Sequence, residues 1–165
     1  MKPKCVYAGS FDPITNGHLW MILRAPVEFD LIVAVGTNPD KKYTFSEDER
    51  IEMLEKTIGA SSASAKVSKM GNKLLVNYAK SIGSHYILRG IRSAADYEYE
   101  RTMRYINSDI SSGITTFFLM PPRELAEVSS SIVKGLVGSD GWENIVAQYV
   151  PLCVIEKLKK LRGGK

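Results

Sequence analysis

The stretch Lys4-Cys5-Val6-Tyr7-Ala8-Gly9-Ser10-Phe11-Asp12-Pro13-Ile14-Thr15-Asn16-Gly17-His18 passes from an apolar run, through a glycine- and proline-containing loop, into a helical pattern. A strand that turns directly into a helix leaves several backbone N–H groups at the helix start without intrahelical partners, and such groups bind phosphate oxygens well. Gly9 and Gly17 let the backbone approach a ligand closely, and His18 falls in the first helical turn, aimed at the same place. The spacing alone is equally compatible with a tight turn followed by a helix-start histidine. There is no Walker A sequence and no G-x-G-x-x-G, so the two common phosphate-loop motifs are excluded.

Outward from this stretch, apolar runs alternate with longer amphipathic ones. Residues 4–8, 31–37, 65–68, 86–89 and 115–120 read as strands. Leu31 to Val35 and Thr116 to Met120 are apolar on successive residues, as in strands covered on both faces. Helical patterns occupy roughly 17–25, 46–58, 74–82, 94–109, 130–137 and 151–162. Ser46-Glu47-Asp48-Glu49 is a capping box, with Ile51, Leu54 and Ile58 as the stripe behind it. Pro26 predicts the end of the first helix near Arg24. This alternation predicts an α/β fold: a single-domain, Rossmann-like, doubly wound five-stranded parallel sheet with helices on both faces. Ligands of such sheets sit at the carboxyl ends of the strands.

The net charge of +4 is matched by the last ten residues alone, where five Lys/Arg face one acid. The body of the chain is therefore balanced, and the basic character belongs to a tail from about residue 156. That argues against a nucleic-acid surface. No apolar run is long enough to span a bilayer, and the basic start lacks the apolar length of a signal peptide, so a cytoplasmic protein is expected. Cys5 and Cys153 form no CxxC pair; both are expected to be buried and reduced.

Three further segments carry polar groups at strand ends. Thr37-Asn38-Pro39-Asp40-Lys41-Lys42-Tyr43-Thr44-Phe45 places two lysines before the capped helix; solvated side chains would explain them as well as an active-site edge. Leu88-Arg89-Gly90-Ile91-Arg92-Ser93 sets two arginines about a glycine, able to fork phosphate oxygens or to form ordinary ion pairs. In the helix that follows, Asp96 and Glu100 are like charges in register, a hint that one of them has a task other than pairing along the helix with Arg92 or Arg104. Val128-Ser129-Ser130-Ser131-Ile132-Val133-Lys134 opens a helix with serines that suit an N-cap, and no G-x-S-x-G elbow supports a serine hydrolase.

Together, in this order and at this spacing, the four segments resemble the phosphopantetheine adenylyltransferases of the T-x-G-H nucleotidyltransferase superfamily, from about Lys4 to Lys134. The resemblance implies ATP contacts from Ser10, Phe11, His18, Gly90, Ile91, Arg92 and Glu100, and from Leu125, Ala126, Glu127, Val128, Ser129, Ser130 and Ser131. It implies 4′-phosphopantetheine contacts from Ser10, Lys41, Leu75 and Arg89, with Lys42 the alternative to Lys41. Core packing explains Leu74-Leu75 equally well. His18, Lys41 and Arg89 are then the catalytic residues. At Leu125-Ala126-Glu127 the expected aromatic and hydroxyl groups are missing, which leaves backbone contacts there.

The implied reaction is transfer of an adenylyl group from ATP to 4′-phosphopantetheine, giving dephospho-coenzyme A and pyrophosphate, with Mg²⁺ accompanying the pyrophosphate. A homo-oligomer, a hexamer by the same resemblance, is expected. The alternatives are another T-x-G-H enzyme, such as a nicotinate-mononucleotide adenylyltransferase, and a non-catalytic nucleotide sensor. The Arg89–Glu100 and Ser129–Lys134 segments oppose the first, and the presence of His18 and Lys41 opposes the second.

Overall fold

The structure is a computed structural model that describes residues 2–163. Five strands, β1 (Lys4–Gly9), β2 (Asp30–Gly36), β3 (Ala65–Gly71), β4 (Tyr86–Gly90) and β5 (Thr115–Leu119), form one sheet in the order β3-β2-β1-β4-β5. All four pairings are parallel, with Tyr7 beside Val33 on one side and Leu88 on the other. Helix α1 (Asn16–Arg24) follows β1, α2 (Glu47–Gly59) follows β2, α3 (Leu75–Ser81) follows β3, and α4 (Ala94–Ile110) follows β4. After β5 come α5 (Arg123–Ala126), α6 (Ser130–Leu136), α7 (Trp142–Val146) and α8 (Leu152–Gly163).

Alternate residues of the strands feed two cores. Cys5, Tyr7, Leu31, Val33 and Leu88 pack with Met21, Met53, Val133, Trp142 and Val154 of α1, α2, α6, α7 and α8. Val6, Ala8, Ala34 and Ile87 pack with Val76, Tyr78 and Ala79 of α3 on the other face. The sheet is thus wound on both faces, as the apolar runs require. The chain moves outward from β1 through β2 to β3, then crosses back to place β4 against β1. That reversal opens a crevice at the carboxyl ends of β1 and β4.

The strands and the six longer helices fall within a few residues of the positions expected from sequence, and a 3-10 turn at Ala25–Val27 containing Pro26 ends α1. The Ser46 capping box forms as expected, with Ser46 accepting from Glu49 N and Glu49 accepting from Ser46 N. Helices α5 and α7 were not expected; four and five residues are too few to show a helical period. Residues 156–163 of the basic tail lie in α8, as the helical pattern predicts, and Lys157 bridges Glu49 and Glu52 of α2. Cys153 corrects an expectation: it is half-buried against Thr57, whereas Cys5 is buried and its thiol pKa is pushed up to about 12 by desolvation.

The loop after β1 is held by Asp12, whose side chain is only 1% exposed. Its carboxylate accepts from Thr44 N at 3.0 Å, Phe45 N at 2.9 Å and Lys134 Nζ at 3.0 Å, joining the loop to the segment before α2 and to α6. Replacing Asp12 by alanine would strand two backbone N–H groups and an ammonium. Asp12→Ala is expected to lower the unfolding free energy by about 3 kcal/mol, read by chemical denaturation; a change below about 0.5 kcal/mol would remove the clamp from the account.

Candidate active site

The crevice holds a cavity of about 360 Å³ whose lining includes Gly9, Ser10, His18, Lys41, Arg89 and Arg92. A second cavity, also about 360 Å³, adjoins it on the β2–β3 side and is lined by Thr37, Met70, Lys73 and Leu75. The two share Ala8, Gly9, Ser10, Lys41 and Arg89, so these residues stand where the two spaces meet. Gly9 is needed there: a Cβ would come within 3.1 Å of the Phe11 ring. Phe11 itself has φ 48°, a left-handed conformation that a bulky residue adopts only when its surroundings hold it. Its ring is wedged edge-on between Tyr7, at 5.5 Å, and His18, at 5.2 Å.

His18 is fixed by the start of its own helix. Thr15 is the N-cap of α1, and a capping box forms with histidine in the place usually taken by Glu or Gln. The Thr15 backbone N–H donates to His18 Nδ1 at 3.1 Å. A neutral ring that accepts at Nδ1 carries its single proton on Nε2. Burial lowers the imidazole pKa from 6.5 to about 4, assisted by the charges of Arg92 and Arg89. His18 is therefore a neutral hydrogen-bond donor at pH 7, not an imidazolium and not a spare base.

The arginines are held from behind. Arg89 Nε lies 2.9 Å from both oxygens of the buried Glu100 carboxylate, and Arg89 Nη1 donates to Ala8 O at 2.7 Å. Burial works against the charge on Arg89, and Glu100 more than offsets it, so the pKa lies above the usual arginine value. Arg92 pairs with Asp96 at 2.9 Å. Asp96 and Glu100 of α4 thus divide between two arginines, Arg92 just after β4 and Arg89 within it. Glu100 reaches across to β4 rather than along its helix to Arg104, whose guanidinium lies over Tyr105. On the far side, Ser129 caps α6 by accepting from Ile132 N at 3.2 Å, and Ser130 Oγ donates to Pro13 O at 2.8 Å. Among the described residues no group of three or more His, Cys, Asp or Glu is arranged to hold a metal ion.

Comparison with known proteins shows the family. Residues 6–136 match the cytidylyltransferase-like family model. The chain is 62% identical over 157 residues to the phosphopantetheine adenylyltransferase of Chromobacterium violaceum, covering 94% of each chain. The chain belongs to the phosphopantetheine adenylyltransferase family. The enzyme of that name from Neisseria meningitidis serogroup C is 54% identical, over 94% of this chain and 91% of its own. A solved nicotinic acid mononucleotide adenylyltransferase from Plasmodium falciparum, complexed with NaAD, shares the fold with a TM-score of 0.71. It covers 97% of this chain and 96% of its own at 15% identity.

Of the residues the resemblance implies, the crevice cavity gathers Ser10, His18, Lys41, Arg89, Gly90, Arg92, Glu100, Leu125, Val128, Ser129, Ser130 and Ser131. Leu75 lines the adjoining cavity, while Leu74 is 56% exposed. Lys41 lines both cavities, with its Nζ 3.4 Å from Ser10 Oγ, and Lys42 lines neither. Phe11 and Ile91 are buried beneath the site, and Ala126 and Glu127 lie outside its lining. Leu125 and Val128 stand close to Gly17, where a Cβ would meet Val128 O at 3.5 Å and Leu125 O at 3.7 Å.

Sequence reasoning missed four residues that build the site. Thr15 orients His18, Asp12 clamps the first loop, and Tyr7 lines the cavity with its phenol pKa raised by burial. The fourth, Arg50, is 1% exposed and donates to Ser10 O at 2.7 Å. The Thr15 contact was legible in principle, because Thr-x-x-His has capping-box spacing. An NMR titration of the imidazole should find His18 protonating near pH 4, as the Nε2–H tautomer above that, with a higher midpoint in Arg92→Gln. A midpoint at or above 6.5 in the parent protein would contradict the assignment.

Proposed function

We propose that the chain reversibly transfers the adenylyl group of ATP to 4′-phosphopantetheine, forming dephospho-coenzyme A and pyrophosphate. The observation that carries this reading is the meeting of two cavities at Ser10, Lys41 and Arg89. One cavity takes ATP, the other takes the pantetheine arm along Leu75, and the reacting phosphates meet between them.

A phosphate oxygen of phosphopantetheine attacks the α-phosphorus of ATP in line, the bond to the bridging oxygen breaks, and pyrophosphate leaves. The nucleophile is already ionised at neutral pH, so no side chain needs to accept a proton. Catalysis is then positioning together with stabilisation of charge on the phosphoryl oxygens. His18 Nε2–H donates to an oxygen of ATP, and Lys41 and Arg89 neutralise charge where the two substrates meet. The neutral state of His18 suits this task, since its proton is needed as a donor throughout.

The carboxylates of the cavity, Asp96 and Glu100, are committed to Arg92 and Arg89. Mg²⁺ therefore enters with the phosphates of ATP and leaves with pyrophosphate, as part of the substrate. A homo-oligomer, a hexamer by family resemblance, belongs to the same reading. The exposed apolar side chains of α4, Tyr97, Tyr105, Ile106 and Ile110, are of the kind that self-association covers.

The test is pyrophosphate release from ATP with and without 4′-phosphopantetheine, with mass detection of dephospho-coenzyme A. Product is expected only when both substrates are present. ATP binding without product would favour a different acceptor. In the same assay His18→Ala is expected to lower turnover by about 10³ while ATP affinity stays within about tenfold. Near-normal turnover in that variant would overturn the role of His18.

A further inference from the structure

Lys41 sits on a loop between β2 and α2, and its side chain is exposed. A long ammonium side chain in water samples many rotamers, so a lysine that must meet a phosphoryl group needs something to hold it. The loop supplies a short strap. Lys41 N donates to Asn38 O at 3.0 Å, Asp40 N donates to Asn38 Oδ1 at 2.9 Å, and Asn38 N donates to the Tyr43 hydroxyl at 2.7 Å. Tyr43 thereby closes the turn that carries Lys41.

The Tyr43 ring also carries two cations. The Arg50 guanidinium lies 4.2 Å from the ring centroid and Lys41 Nζ 5.7 Å from it. Both distances are in the range where a cation is attracted to an aromatic face. Arg50 is buried and anchored: it is 1% exposed and donates to Ser10 O at 2.7 Å, Gly36 O at 3.1 Å and Thr37 Oγ1 at 3.2 Å. One buried guanidinium therefore fixes the carbonyl of the first phosphate loop and supports the ring against which the second loop rests. Lys41 Nζ ends 3.4 Å from Ser10 Oγ, where the two loops meet.

We infer that Tyr43 is a positioning residue for the transfer reaction, holding the Lys41 ammonium beside Ser10 by closing the Asn38–Lys41 turn and presenting its ring, backed by Arg50, to the lysine. The inference rests on the reading of Lys41 as the group that meets the transferring phosphoryl. Tyr43 lines the adjoining acceptor cavity and not the ATP cavity, so its loss acts on turnover and on the acceptor rather than on ATP, and the double variant separates its hold on Lys41 from any direct contact with the acceptor.

The experiment compares steady-state kinetics of Lys41→Ala, Tyr43→Phe, Tyr43→Leu and the Lys41→Ala/Tyr43→Leu double variant, with folding checked by thermal unfolding. Tyr43→Leu is expected to lower kcat about tenfold or more with the KM for ATP within about twofold. Tyr43→Phe keeps the ring on Arg50 and loses the acceptor for Asn38 N–H, so its loss is smaller, about threefold. In the Lys41→Ala background, Tyr43→Leu should change kcat by less than about twofold, because the group it positions is gone.

Unchanged turnover in Tyr43→Leu would overturn the inference while leaving Lys41 its role. An equal loss with and without Lys41 would overturn it too, by showing a general effect on the fold. Unchanged turnover in Lys41→Ala would remove the underlying reading of Lys41 itself and the inference with it. If Tyr43→Leu does not fold, the same comparison is made with Tyr43→Phe in the two backgrounds.

Discussion

The buried carboxylate of Asp12 is the contact on which the site depends. It takes two backbone N–H groups from the segment before α2 and an ammonium from α6, so three separate elements converge on one side chain. A carboxylate removed from water is stable only with such a full set of donors. Once it has them, the loop from Ser10 to Pro13 has little freedom left, and Ser130 adds a bond to Pro13 O. The strained backbone of Phe11 is tolerable in this setting, because both neighbours of its ring are themselves fixed.

The electrostatics follow from the same rigidity. Arg89 and Arg92 are charged and oriented by Glu100 and Asp96, and together with burial they keep His18 neutral. Donors and charges are thus held in place by contacts within the fold. A reaction between two phosphates, whose nucleophile needs no deprotonation, gains most from an arrangement of this kind. The capping box at Thr15 serves two purposes: it starts α1 and sets which ring nitrogen of His18 carries the proton.

Much of the fold was legible because its signals are local. Consecutive apolar residues from Leu31 to Val35 describe a strand covered on both faces, and Ser46-Glu47-Asp48-Glu49 describes a helix start; both formed. Many of the cavity-lining residues, among them Ser10, His18, Lys41 and Arg89, were legible because their motifs lie at strand ends, where a parallel sheet binds ligands. What escaped was tertiary. The partners of Asp12 lie 32 and 122 positions away at Thr44 and Lys134, and nothing local in the sequence links them. Glu100 lines the cavity as the resemblance implies, but nothing local in the sequence shows that its carboxylate pairs with Arg89 across the sheet edge. Arg50 has no local signal that sets it apart from the other charges of α2, and burial alone distinguishes it. Helices α5 and α7 were too short to leave a period.

In the proposed reaction fixed donors position two phosphates for direct displacement, with no residue of the chain bonded to the adenylyl group at any stage. The stereochemical course at the α-phosphorus tests it most directly, using ATP made chiral there by sulfur substitution. Direct in-line transfer predicts inversion of configuration in the dephospho-coenzyme A product. Retention would mean two successive displacements through a covalent adenylyl-enzyme, and would contradict the account.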